Sequence, residues 1–118
     1  MSLRVSLRAV MVVPRLFLEE ISDACRELER LGAGELLCIA RDLDGTMEGY
    51  SLPLIDLASS SVNIPVIACG GCGTPEHMMD AFDMGANVVA AGSMFLYTDH
   101  TPKSCAEFLK KRGYNVRT

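Results

Sequence analysis

Four apolar runs, each followed by a stretch with helical spacing, constrain this chain more than any other feature. They lie within Val5 to Val13, Leu36 to Ala40, Val66 to Cys69 and Val88 to Ala91. Each is apolar at nearly every position rather than at every second one. A strand of that kind is buried on both faces, the pattern of a parallel sheet. Parallel neighbours need a long crossover, and the helical stretches supply it. The first helix is expected from about Leu16 to Leu31, with Phe17, Ile21, Cys25, Leu28 and Leu31 on one face and Gly32 and Gly34 as stops. The second starts near Ser51 and carries Leu54, Ile55, Leu57 and Ala58. Thr74-Pro75 opens the third with a capping hydroxyl and a proline at the first helical position. Met78, Ala81 and Phe82 form its apolar face, and Gly85 ends it. Thr101-Pro102 opens the last, where Cys105, Phe108 and Leu109 pack and Gly113 stops.

Four strand-then-helix units make an α/β chain with right-handed crossovers. They are half of a (β/α)8 TIM-type barrel, which needs roughly 200 to 250 residues. A half-barrel leaves its inner face and two strand edges bare, an invitation to association. The expectation is a homodimer that closes one barrel from two halves, or docking onto a separate half. A flavodoxin-like open sheet is the alternative, and it needs helices on both faces.

Composition narrows the class. The 118 residues suit a single domain, 1–118, without linker or low-complexity segment. An apolar fraction of 49% and a charged fraction of 22% describe a globular chain. The net charge of −4 argues against nucleic acid as a partner. The one basic cluster, Lys110-Lys111-Arg112, falls in a last helical turn, where cations complement the helix dipole. No apolar run approaches the roughly 18 residues of a membrane span. Met1 to Pro14 is apolar with two arginines but lacks a small-residue cleavage site, so a buried first strand is expected over a signal peptide. Five scattered cysteines fit reduced core thiols and a cytoplasmic setting.

Two stretches carry chemistry. Asp42-Leu43-Asp44-Gly45-Thr46-Met47-Glu48-Gly49-Tyr50 follows the second strand. It places carboxylates at the C-terminal edge of a parallel sheet, where ligands bind. Ile64-Pro65-Val66-Ile67-Ala68-Cys69-Gly70-Gly71-Cys72-Gly73-Thr74-Pro75-Glu76 is a strand ending in a glycine-rich turn that opens a helix, a setting that holds phosphate.

Together with Gly32-Ala33-Gly34-Glu35-Leu36-Leu37 and Ala90-Ala91-Gly92-Ser93-Met94-Phe95, these stretches closely resemble the C-terminal half of the cyclase subunit of imidazole glycerol phosphate synthase. They also resemble its relatives in surface-sugar biosynthesis. The resemblance runs from about Leu16 to Arg117. The Asp-x-Asp-Gly-Thr-x-x-Gly-Tyr pattern is specific, whereas Gly-Gly-x-Gly is a general phosphate signal. The resemblance implies a barrel enzyme of histidine biosynthesis. Such an enzyme takes ammonia from a glutaminase partner and closes an imidazole ring on a bis-phosphorylated ribulosyl substrate, with no cofactor. It implies Asp44 as a general acid/base. It implies Gly45 near a phosphate, and Gly70, Gly71 and Ser93 at the phosphate site after the last two strands. Thr46 is a candidate for the same site.

The sequence departs from the family in three ways. The family's other catalytic aspartate and second phosphate site belong to a barrel half that this sequence does not include. Arg8-Ala9-Val10-Met11-Val12-Val13-Pro14 has no carboxylate where the family has an aspartate. Cys69 stands where serine is usual.

Plainer readings stand beside these. Asp42, Asp44 and Gly45 could form a solvated turn, since aspartate favours turns. Asp42 is expected to face away and be structural, and Thr46 to order the turn. The glycines could make a tight turn, and Ser93 could be a small packing residue. A phosphate-binding or self-associating half-barrel without catalysis is therefore the second reading. A thiol-redox protein through Cys69-Gly70-Gly71-Cys72 is the third. A zinc site lacks a second cysteine pair and matched histidines, so no metal is expected. His77 reads as an exposed helix residue and His100 as a loop residue. Met78, Met79, Met84 and Met94 read as core filler.

Overall fold

The structure, a computed structural model, describes residues 8–13 and 20–116. The strands are β1 (Arg8–Val13), β2 (Glu35–Ala40), β3 (Val66–Cys69) and β4 (Val88–Val89). The helices are α1 (Ile21–Arg30), α2 (Leu52–Ser61), α3 (Pro75–Asp83), α4 (Ser93–Tyr97) and α5 (Pro102–Lys111). The expected beginnings of the first strand at Val5 and of the first helix at Leu16, with Phe17, lie outside the described residues.

All strand pairs are parallel, and the sheet order is β1-β2-β3-β4. Sequential order with right-handed crossovers puts every helix on the same face. The packing agrees: α1 lies on α2, α2 on α3, and α3 on α5. One helical layer on one face is barrel geometry and excludes the doubly wound alternative.

Local chemistry sets the helix starts. Ser51 caps α2 by accepting from the Leu54 amide at 3.4 Å. Thr74 caps α3 through the His77 amide at 3.3 Å. Thr101 and Ser104 form a reciprocal capping box at α5, at 3.0 and 2.9 Å. Such caps each contribute about 1 kcal/mol. Two features depart from the sequence reading. The last strand is paired only at Val88–Val89, and Ala90 still donates to the Ala68 carbonyl at 2.9 Å. The short helix α4 was not expected.

Register divides the sheet's two faces. Partners Ala9 and Leu36, Met11 and Cys38, and Val13 and Ala40 face the helices. Partners Val10 and Leu37, and Val12 and Ile39, point the other way, continued by Ile67, Cys69 and Val88. Among the described residues no helix covers this second face. Val10 and Val12 are 57% and 53% exposed.

Under the helices the core forms two clusters. The first joins Ile21, Cys25, Leu36, Cys38 and Leu54, and the second joins Ile55, Ala68, Met78, Ala81, Met94 and Leu109. Burying one such aliphatic side chain contributes roughly 1.5 to 3 kcal/mol. The neighbours Leu54 and Ile55 on α2 enter different clusters.

Candidate functional site

The chain turns sharply after β2. The Ala40 carbonyl accepts from the amides of Leu43 at 3.1 Å and Asp44 at 3.0 Å. Gly45 follows at φ +83°, a left-handed conformation that costs little only without a Cβ. The Thr46 hydroxyl donates to the Leu43 carbonyl at 2.7 Å and accepts from the Glu48 amide at 3.3 Å. Thr46 therefore orders the turn and does not line the cleft. Because residues 41–46 are turn rather than strand, the two aspartates part company. Asp42 sits within 3.7 Å of Arg41 Nε and faces a hollow shared with Val13, Glu48 and Tyr50.

Asp44 turns the other way. It lines a small cleft at the C-terminal edge of the sheet together with Gly45, Gly70, Gly71 and Ser93. Cys69, Cys72, Ala90, Ala91 and Gly92 complete the walls. Five of the six site residues expected from the sequence thus meet in one place. A Cβ built on Gly45 would find no described atom nearer than Ser93 Oγ at 3.9 Å, so the cleft is open between them.

The glycine turn is held by chain packing. The Gly49 amide donates to the Gly71 carbonyl at 2.7 Å. A Cβ on Gly71 would stand 2.0 Å from the Gly49 carbonyl oxygen, and its φ is +105°. Gly71 is thus required by the approach of two loops. Tyr50 adds a third tie, its buried hydroxyl donating to the Ala90 carbonyl at 2.7 Å. Burial, with Cys72 beside it, holds that phenol protonated well above the usual tyrosine range. The sequence reading quoted Tyr50 within the motif but missed this role, which depends on a partner 40 residues away.

His77 is a correction. It is half-buried, and its Nδ1 accepts from the Gly73 amide at 3.0 Å. His100 lies in a loop as expected.

The thiols do not favour redox work. Burial raises Cys69 first, and the Asp44 carboxylate raises it further, against a smaller opposing hydrogen bond from the Gly70 amide. Burial also raises Cys72, which donates to the Thr74 carbonyl at 3.5 Å. A nucleophilic thiol needs the opposite shift. All five cysteines are free. No group of three potential metal ligands occurs among the described residues. No described helix is long and apolar enough to cross a membrane.

Residues 18–101 match the family model of the histidine biosynthesis protein. The chain belongs to the histidine biosynthesis protein family. Among the family's proteins it is similar to the imidazole glycerol phosphate synthase subunit HisF of Thermococcus onnurineus, 47% identical over 92 residues. That match covers 78% of this chain and 36% of the relative. The same subunit of Pyrococcus furiosus is 44% identical over 92 residues, covering 78% of this chain and 37% of the relative. The chain thus spans little more than a third of the length of these relatives. Among solved structures it resembles (S)-3-O-geranylgeranylglyceryl phosphate synthase from Thermoplasma acidophilum, in complex with sn-glycerol-1-phosphate. The TM-score is 0.73 at 16% identity, over 93% of this chain and 50% of that one. A tryptophan synthase alpha-subunit from Pyrococcus furiosus gives 0.59 at 21% identity, over 87% of this chain and 41% of that one. At such identities the likeness speaks for the fold alone, and it places this histidine biosynthesis family member among barrel-type sheets.

Proposed function

We propose that this chain is a half-barrel of the imidazole glycerol phosphate synthase cyclase type. It binds a phosphorylated ribulosyl or imidazole substrate through Gly70, Gly71, Gly45 and Ser93, and Asp44 acts as general acid/base. What supports this reading is the meeting of Asp44, Gly45, Gly70, Gly71 and Ser93 in one cleft of a family member.

The chemistry follows from the residues. Ring closure moves protons to and from nitrogen and oxygen, and a placed carboxylate contributes about 10²- to 10⁴-fold. Asp44 is exposed at the cleft and open to substrate. Backbone amides of a glycine turn can approach phosphate oxygens without side-chain interference.

In this proposal a second copy covers the bare sheet face. The edges β1 and β4 are both parallel and lack an outer partner among the described residues. A twofold axis along the barrel would pair each β4 with the other copy's β1, closing eight parallel strands. The same axis sets two Asp44 carboxylates across a shared mouth, an acid and a base. A glutaminase delivering ammonia would dock at the opposite, N-terminal edge.

Ammonia-dependent turnover, with Asp44→Asn beside the parent, tests the enzyme. A parent protein without turnover removes it. The second reading, a phosphate-binding half-barrel without catalysis, is favoured by one observation: Asp44 is the sole carboxylate lining the cleft among the described residues. Phosphate binding that survives Asp44→Asn, in a protein that turns nothing over, would support that reading.

A further inference from the structure

We propose that His77 is the positioning residue of this cleft: its unprotonated ring nitrogen holds the glycine turn after β3 against the loop that carries Asp44. The proposal deepens the phosphate-binding reading and rests on it for one of two readouts below.

His77 occupies the third position of α3, directly beyond the turn. Its own amide donates to Thr74 Oγ1 at 3.3 Å, so the cap fixes where its side chain begins. Nδ1 then reaches back to accept from the Gly73 amide at 3.0 Å. Gly73 is buried, and a buried amide left without an acceptor is costly. On its far side the ring stands beside the other loop, within reach of any side chain placed at Gly49. Its Cδ2 and Nε2 lie 3.6 Å from the point where a Cβ on Gly49 would stand. Gly49 in turn donates to the Gly71 carbonyl at 2.7 Å. Gly73, His77, Gly49 and Gly71 therefore close a circuit that joins the two loops flanking the cleft.

The circuit needs a lone pair at one atom. An imidazole nitrogen accepts only while it carries no proton, so the proton of the neutral ring sits on Nε2. Asparagine can present Oδ1 where Nδ1 stands. Glutamine carries its oxygen one bond further out. Both have helix propensities close to that of histidine, so α3 itself is little affected.

His77→Asn and His77→Gln are compared with the parent by amide hydrogen exchange in NMR and by titration with inorganic phosphate. Circular dichroism checks that all three fold. In His77→Gln the Gly73 and Gly49 amides should exchange faster, and phosphate should bind more weakly, each by roughly 3- to 10-fold. His77→Asn should restore both to within about twofold of the parent. Parent-like exchange in His77→Gln would overturn the proposal, and so would an asparagine variant no better than the glutamine one. If the parent itself binds no phosphate, the phosphate reading falls, while the exchange pattern still decides whether His77 holds the turn.

Discussion

Gly49 donates its amide to the carbonyl of Gly71 over 2.7 Å, which fastens the loop after β2 to the loop after β3. The cleft exists because of that approach. Two glycines on its walls are consequently constrained in opposite ways.

Gly71→Ala drives a methyl into the Gly49 carbonyl, 2.0 Å away, at a φ of +105°. The clash and the strained backbone together should cost about 2 to 4 kcal/mol, read as a fall in the urea midpoint. Gly45→Ala meets no atom closer than 3.9 Å and retains only the left-handed strain at +83°. It should cost about 1 to 2 kcal/mol. Its methyl points into the cleft beside Ser93, so phosphate affinity should fall more than stability does.

Asp44→Asn removes the carboxylate from an exposed position, so thermal stability should shift by no more than about 0.5 kcal/mol. Ammonia-dependent turnover should fall by about 10² to 10⁴. Unchanged turnover would assign the proton transfers elsewhere.

Val12→Lys places a charge on the uncovered sheet face, where Val12 is 53% exposed. Light scattering behind a sizing column should give twice the chain mass for the parent and the single mass for the variant. A monomeric parent would mean that a second copy does not cover this face.

Cys69 should titrate above an ordinary cysteine, since burial and then the Asp44 charge both disfavour its thiolate. Alkylation at neutral pH should be slow and should rise with pH later than for a free thiol. Asp44→Asn should bring the Cys69 midpoint part of the way down, burial being the larger cause. The folded protein holds this proton more tightly than the unfolded chain. Stability is therefore complete below the ordinary thiol range and is lost as pH rises through the raised value.

The elements readable in advance were those fixed by neighbouring residues. Ser51, Thr74 and Thr101 cap their helices in place because a hydroxyl and the amides three residues on are all the chemistry required. The apolar run Leu36 to Ala40 is β2 with one residue added. Sequential βα units were sufficient to expect a one-sided helical layer. The meeting of Asp44 with Ser93 was legible through family likeness, not spacing, because 49 residues separate them. What escaped was tertiary. Thr46 ordering the turn and Asp42 facing away from Asp44 were both expected, but a turn over 41–46 parts the two aspartates where an extended strand end was foreseen. His77 took on Gly73 as a partner across a helix start. The short α4 carries no cap side chain on Gly92, so no local signal announced it.

The division of the core at α2 has one more consequence. Leu54 belongs to one cluster and Ile55 to the next, while Leu43 and Tyr50 put the two ends of one loop on either side of the same seam. The cleft is thus less a cavity carved in a solid body than a joint between two half-cores. Asp44 rides on a loop that straddles this joint, and Gly70, Gly71 and Ser93 ride beyond it. Strand β3 bridges the seam, with Val66 in the first cluster and Ala68 in the second, so the sheet ties the two half-cores together. The placement of the acid relative to the anion site therefore depends on packing on both sides of that seam, and not on the side chains of the cleft alone.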